Sequence, residues 1–241
     1  MFFANRLGDT NYYHWLTEML PHYLGLPSNT KPLLFNPTTV QIDCLNTLTG
    51  LGLVDEGYVS VLTDGPCAVA ARSVLYPKFP NYHHLTEKTI DLVNSVKSAI
   101  SSRFIENPFS IAFKSSKKIL YSSRGGSRIK NESLLIEFLE EMGVLVVDNS
   151  KLSFLEQCQV FMCADAVIGV HGANLSNCIF MNKGSTVIEL MSTKLMNRVF
   201  AINSSLLGLN HKLIFDDSEN WDFVVDNNFL EMIENFLHDI E

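Results

Sequence analysis

Apolar residues recur along this chain in two rhythms, a helical spacing and short continuous runs, and the two alternate. The clearest alternation spans residues 163–191, CADAVIGVHGANLSNCIFMNKGSTVIELM. The run AVIGV, residues 166–170, is short, apolar and rich in β-branched side chains, as a strand buried on both faces requires. His171-Gly172-Ala173-Asn174 breaks it. Leu175, Ile179 and Phe180 then keep a helix-like spacing, Lys183-Gly184 closes the segment, and TVIEL, residues 186–190, reads as a second buried strand. This β-turn-α-turn-β unit puts His171 and Gly172 at a strand's C-terminal end, the edge where open α/β sheets bind ligands. The helix behind it opens with unpaired N–H groups that suit an anion. Gly172 lets a ligand approach the backbone with no Cβ in the way.

The rest of the chain follows the same alternation. Residues 11–25, NYYHWLTEMLPHYLG, carry an apolar stripe of Tyr12, Leu16, Met19, Leu20, Tyr23 and Leu24, with Pro21 as a kink or a stop. Residues 32–36, 58–62 and 68–76 read as strands, and 38–50 as a helix opened by the capping box Thr38-x-x-Gln41. A long helix is predicted over residues 85–102. Residues 103–116 have no period and mark a junction, which divides the chain into domains 1–108 and 109–241. In the second domain, strands at 118–122, 144–148, 166–170, 186–190 and 211–215 alternate with helices. Those helices fall at 131–142, 153–163, the segment after His171, 197–208 and 226–239; Gly143 ends the first and Ser153-x-x-Glu156 caps the second. The pattern implies an α/β fold with a parallel, doubly wound sheet.

Composition narrows the class. With 241 residues, 46% hydrophobic and 18% charged, the chain can bury a large core. Its net charge of −8 argues against a general nucleic-acid surface. No apolar run reaches the ~18–20 residues of a transmembrane helix. The start, MFFANRLGDTNYYHW, lacks the pattern of a signal peptide. The expectation is a cytoplasmic protein, or one of the secretory-pathway lumen if the chain is a piece of a longer, anchored protein. The five cysteines include no C-x-x-C pair and read as buried, reduced thiols.

Four features carry possible chemistry. The loop Tyr121-Ser122-Ser123-Arg124-Gly125-Gly126-Ser127-Arg128 leaves a strand and enters a helix, and reads either as a diphosphate cradle or as a solvated loop. Neither a P-loop nor G-x-G-x-x-G is present. His171 is either a turn residue or a ligand contact. Glu189, inside an apolar strand, must pair with Arg or Lys, be protonated, or accept hydrogen bonds from a ligand, for which a ribose or sugar hydroxyl pair would serve. His14 and Glu18, four residues apart, are neighbours on a helix: a general base with its orienting carboxylate, or a polar face.

Taken in order, Arg124, Arg128 and Asn131-Glu132, then Leu155-Glu156-Gln157, then residues 170–177 (VHGANLSN), Phe180-Met181 and residues 187–190 (VIEL) resemble glycosyltransferase family 61. His14-Trp15-Leu16-x-Glu18-x-Leu20-Pro21 is similar to the same family, and the resemblance runs from residue 11 to about residue 208. It implies a GT-B architecture, two Rossmann-like halves facing across a cleft, here with a short N-terminal half. It also implies an inverting transferase that moves a sugar from a nucleotide-sugar, typically UDP-linked, to a hydroxyl of a glycan or glycoprotein. Carried onto this chain, the donor site comprises Arg124, Arg128, Asn131, His171, Gly172, Ala173, Asn174 and Glu189. No D-x-D occurs, Asp217-Ser218-Glu219 being the nearest approach, so the arginines and a helix N-terminus are expected to stabilise the leaving diphosphate without a metal or other cofactor. His14, supported by Glu18, is the expected base, with His171 its rival. Two other classes remain open: a non-catalytic nucleotide-sugar- or glycan-binding module, and a GT-B-type sugar-nucleotide epimerase or hydrolase.

Overall fold

The computed structural model describes residues 11–26, 32–62, 85–104, 106–123, 128–194, 197–216 and 223–238. The strand expected at 68–76 lies outside them, as does Arg124. The chain divides into two compact units, Met1–Ile105 and Glu106–Glu241.

In the first unit the stripe around His14 forms one helical stretch in three pieces: α1 (Tyr12–His14), a π-helical segment (Trp15–Met19) and α2 (Leu20–Leu24). Asn11 caps its start by accepting from the Tyr13 N–H. Pro21 does not stop it. In a regular α-helix the Thr17 carbonyl would accept from residue 21, and proline has no N–H to give. Thr89 Oγ1 donates to that carbonyl instead, at 2.8 Å. Strand β1 (Leu33–Phe35) pairs in parallel with β2 (Ser60–Leu62), and α3 (Thr39–Gly50) lies between them in sequence, opened by the Thr38–Gln41 capping box. Helix α4 (Glu87–Arg103) carries a second capping box, Thr86 with Thr89, which the S/T-x-x-E/Q pattern does not reveal.

The second unit is built on a five-stranded parallel sheet in the order β5-β3-β6-β7-β8. In chain order its elements are β3 (Ile119–Ser123), β4 (Ile129–Lys130), α5 (Glu132–Glu141), β5 (Leu145–Asp148), α6 (Phe154–Cys163), β6 (Ala166–Val170), β7 (Thr186–Ser192), α7 (Val199–Leu207), β8 (Asn210–Asp216), β9 (Phe223–Val224) and α8 (Asn227–His238). Tyr121, Ile168, Ile188, Leu190 and Ile214 project to one face, where Leu135 and Leu139 of α5 and Phe229, Ile233 and Leu237 of α8 complete a core. The alternate positions Val167, Gly169, Val187 and Glu189 face the other side.

Two local outcomes differ from the periodicity. The short pair β4–β9 has no run long enough to announce it. The segment after His171 is a 3-10 helix, Ala173–Phe180, where the apolar spacing predicts α. Apolar residues three to four apart fit either helix type, so the periodicity does not separate them.

Candidate functional site

The sheet order 2-1-3-4-5, counted along the chain, has its reversal between β3 and β6, and such switch points open a crevice at the strands' C-terminal ends. Ser122 and Ser123 close β3 there, and His171 and Gly172 follow β6. His171 extends the ladder by one bond, its N–H donating to the Leu190 carbonyl at 2.8 Å. Gly172 then takes φ 147° and ψ −175°, a region open essentially to glycine alone. Gly169, on the approach, has no space for a Cβ, which would sit 2.7 Å from Leu175 Cδ2. The 3-10 helix therefore rests directly on β6, with Ala173 at its start.

Amide side chains lock this edge. Asn174 Nδ2 donates to the Ser123 carbonyl at 2.7 Å, tying the 3-10 helix to the end of β3. Asn149 Nδ2 reaches both Ser122 Oγ (3.0 Å) and the Asn174 carbonyl (3.2 Å). Gln157 Nε2 donates to the Asn149 carbonyl, and Asn177 Nδ2 to Gln157 Oε1. The buried Asn149 Oδ1 has no hydrogen-bond partner among the described residues, while the amide donors named here tie the end of β3, the 3-10 helix and α6 together.

Arg128 brings charge to the turn. Its Nη1 donates to the His171 carbonyl at 3.1 Å, and no carboxylate among the described residues neutralises it. Arg128 (φ 77°) and Asn131 (φ 61°) are both left-handed, on either side of β4. Asparagine tolerates that region and arginine seldom adopts it, so about 1–3 kcal/mol is stored to place this guanidinium. The β4–β9 pair holds the bend, with Phe223 N–H donating to the Arg128 carbonyl.

Glu189 is completely buried. One carboxylate oxygen, Oε1, is hydrogen-bonded to His171 Nδ1. The other, Oε2, lies 3.1 Å from His211 Nε2, near enough for an ion pair but off the direction of a hydrogen bond. Burial pushes the carboxyl up, and the His171 and His211 contacts outweigh that and hold it below the usual glutamate range. An ionised carboxylate only accepts, so His171 carries a proton on Nδ1. The His171 ring also meets Phe200 of α7 edge-on, centroids 5.3 Å apart.

On the other flank of β3 a cleft of about 870 Å³ is lined by Ile129, Asn131, Glu132, Ile136, Asp148 and Lys151, among others. Buried Glu132 accepts from Tyr121 Oη and Ser123 Oγ at 2.8 and 2.9 Å. The Ser150 hydroxyl and N–H on Asp148, assisted by Lys151, hold its carboxyl below the ordinary range despite the opposing effect of burial.

In the first unit, His14 Nδ1 and Glu18 Oε1 are 2.9 Å apart; the carboxylate is buried and the imidazole is 30% exposed. Both belong to the stretch containing the π-helical turn, a distortion that recurs at functional sites. Among the described residues no group of three or more His, Cys, Asp or Glu is arranged to hold a metal ion.

The family model described as Glycosyltransferase 61 matches residues 12–188. The chain belongs to glycosyltransferase family 61. It is therefore a glycosyltransferase, with donor and acceptor substrates as that class requires. A search of curated proteins found no match. Among the described residues, no helix of this family member is long and apolar enough to cross a membrane.

The family match takes in His14, Glu18, Arg128, Asn131 and residues 171–174, and ends one residue before Glu189. The structure brings Arg128, His171 and Glu189 into one chain of contacts, with Asn174 locked beside it; Asn131 lines the adjoining cleft. His211 is the residue that sequence reasoning missed. It opens the run HKLIF, and only the pairing of Val187 with His211 puts it on the same face as Glu189. Asn149 was also missed, because nothing local distinguishes it from any asparagine after a strand.

Proposed function

We propose that this protein is a metal-independent, inverting glycosyltransferase of GT-B type that moves a sugar from a UDP-linked donor to a hydroxyl of a glycan or glycoprotein. The observation that carries this reading is Arg128 at the His171–Gly172 turn, a cation with no described carboxylate partner at a parallel sheet's switch point. The leaving nucleoside diphosphate gains negative charge as the glycosidic bond breaks, and fixed positive groups stabilise that charge without reorganising. Arg128, with Arg124 of the same loop, supplies the cations. His171, its ring held through Nδ1 by the Glu189 carboxylate, adds a further positive charge when protonated, and the backbone at Gly172 and Ala173 admits the phosphates. Asn174 keeps the turn in register with β3, and the donor's nucleoside occupies the cleft beside Asn131.

Inversion needs one in-line attack by the acceptor hydroxyl and one base to take its proton. His14 fills that role, with the Glu18 carboxylate on Nδ1 fixing its tautomer and orientation. The test is calorimetric titration of UDP and UDP-sugars into the protein in EDTA, with wild type and Arg128→Ala. Binding that survives EDTA and weakens about ten- to a hundredfold in the variant is expected, since a charged hydrogen bond contributes ~1.5–3 kcal/mol. Binding that requires a divalent cation, or that ignores Arg128, overturns the reading. Product analysis with an acceptor then reads the anomeric configuration.

A further inference from the structure

The family match ends before the carboxylate and the second histidine of the buried cluster. We propose that His211 is a positioning residue for the donor site, acting through the buried Glu189 carboxylate to set the orientation and protonation of His171. The proposal rests on the donor-site reading above.

The geometry carries it. Glu189 has no exposed surface, and its two oxygens meet two imidazoles brought in by different elements. A carboxylate on Nδ1 fixes the ring and favours the imidazolium, as the Asp of a Ser-His-Asp triad does. The second imidazole competes for that same charge. A proton donor or a cation at Oε2 weakens the pull of Glu189 on His171, so His211 limits how readily His171 becomes charged. Buried ion clusters replaced as a whole by well-packed apolar side chains often lose no stability, so stability alone does not account for a charged cluster here.

Among the described residues around the Glu189 carboxylate, the two histidines are the groups whose charge can change. The 3-10 helix presents Cys178, whose thiol is pushed up to about 12 by burial and then by the Glu189 charge, and so stays neutral. Helix α7 has no titratable side chain. Lys212 lies on the opposite face, over the Phe236 ring of α8. Arg128 touches the His171 carbonyl and keeps its charge throughout.

The experiment is a histidine NMR titration of the full chain, following the His171 ring in wild type, His211→Leu and His211→Gln. Glutamine retains an amide donor and cannot become a cation. The His171 midpoint is expected to rise by about one pH unit in His211→Leu and by less in His211→Gln, the size and direction of losing a nearby positive partner of the carboxylate. Glu189→Gln should move it the other way. A purely structural role for His211 would change stability and leave the midpoint alone, so an unchanged or lowered midpoint in both folded variants overturns the proposal. UDP titration of the same proteins separates the two readings. Above the wild-type midpoint His211→Leu should bind UDP tighter, by up to about tenfold for one unit. Failure of wild type to bind UDP at any pH overturns the donor reading, whichever way the midpoint moves.

Discussion

Replacing Thr89 by valine tests how the first unit carries its His14–Glu18 pair across a proline. Thr89 is fully buried, and its hydroxyl donates to the Thr17 carbonyl at 2.8 Å. Valine keeps the shape and nearly the volume, so the cavity contribution is small. The main cost is a buried carbonyl that loses this donor, ~1–3 kcal/mol. The contacts with Thr86 add about 0.5–1.5 kcal/mol, because the Thr86 N–H is 3.4 Å from Thr89 Oγ1 and the two hydroxyls are 2.9 Å apart. The sum is about 1.5–4.5 kcal/mol. Urea unfolding followed by fluorescence reports it directly when Trp221→Phe is the background, since Trp15 then supplies the whole signal and is buried in this unit. With a slope of ~2 kcal/mol/M the midpoint should fall by about 1–2 M. Thr89→Ser, which keeps the donor, should lose less. A Thr89→Val midpoint and slope equal to wild type would refute the argument, and would mean that the Thr17 carbonyl is satisfied by other means.

His14→Ala should lower kcat by about 10²–10⁴-fold with donor affinity within about twofold, as read by steady-state kinetics beside UDP titration. Gly172→Ala should cost ~1–3 kcal/mol in thermal stability and weaken UDP binding, since alanine resists φ 147°. Gly169→Ala should destabilise by ~1–3 kcal/mol, because the new Cβ meets Leu175 Cδ2 at 2.7 Å and that fully buried side chain must move. Because the folded Glu189 carboxyl titrates below its ordinary value of 4.5, its contribution is complete above that value and lost as pH falls through the depressed one. Acid unfolding followed by circular dichroism should show that limb in wild type. Glu189→Gln should be less stable at neutral pH and have a shallower limb.

Much of the second unit's architecture was legible in the linear pattern. Five apolar runs and the helices between them read as a parallel sheet because a strand buried on both faces needs an unbroken apolar run. Capping boxes at Thr38 and Ser153 announced their helices because those bonds close within four residues. The His171–Gly172 turn stood out for the same reason: its break in the β6 run is local. The pair β4–β9 was invisible because two-residue strands have no period. The 3-10 form of residues 173–180 was hidden because the spacing of Leu175, Ile179 and Phe180 fits an α-helix as well.

For this protein, then, the sequence alone determined the five strands of the main sheet and most of the helices, that His171 and Gly172 fall at a strand's end, and that the chain is similar to a glycosyltransferase family. Those are properties of side-chain order over short distances, where periodicity and capping act. Only the tertiary structure decided that Glu189 is enclosed between His171 and His211, that Arg128 takes a strained backbone to reach the His171 carbonyl, and that Thr89 replaces the donor missing at Pro21. Each of these joins residues far apart in the chain, and the burial that makes them matter exists only once the sheet and its covering helices have closed around them.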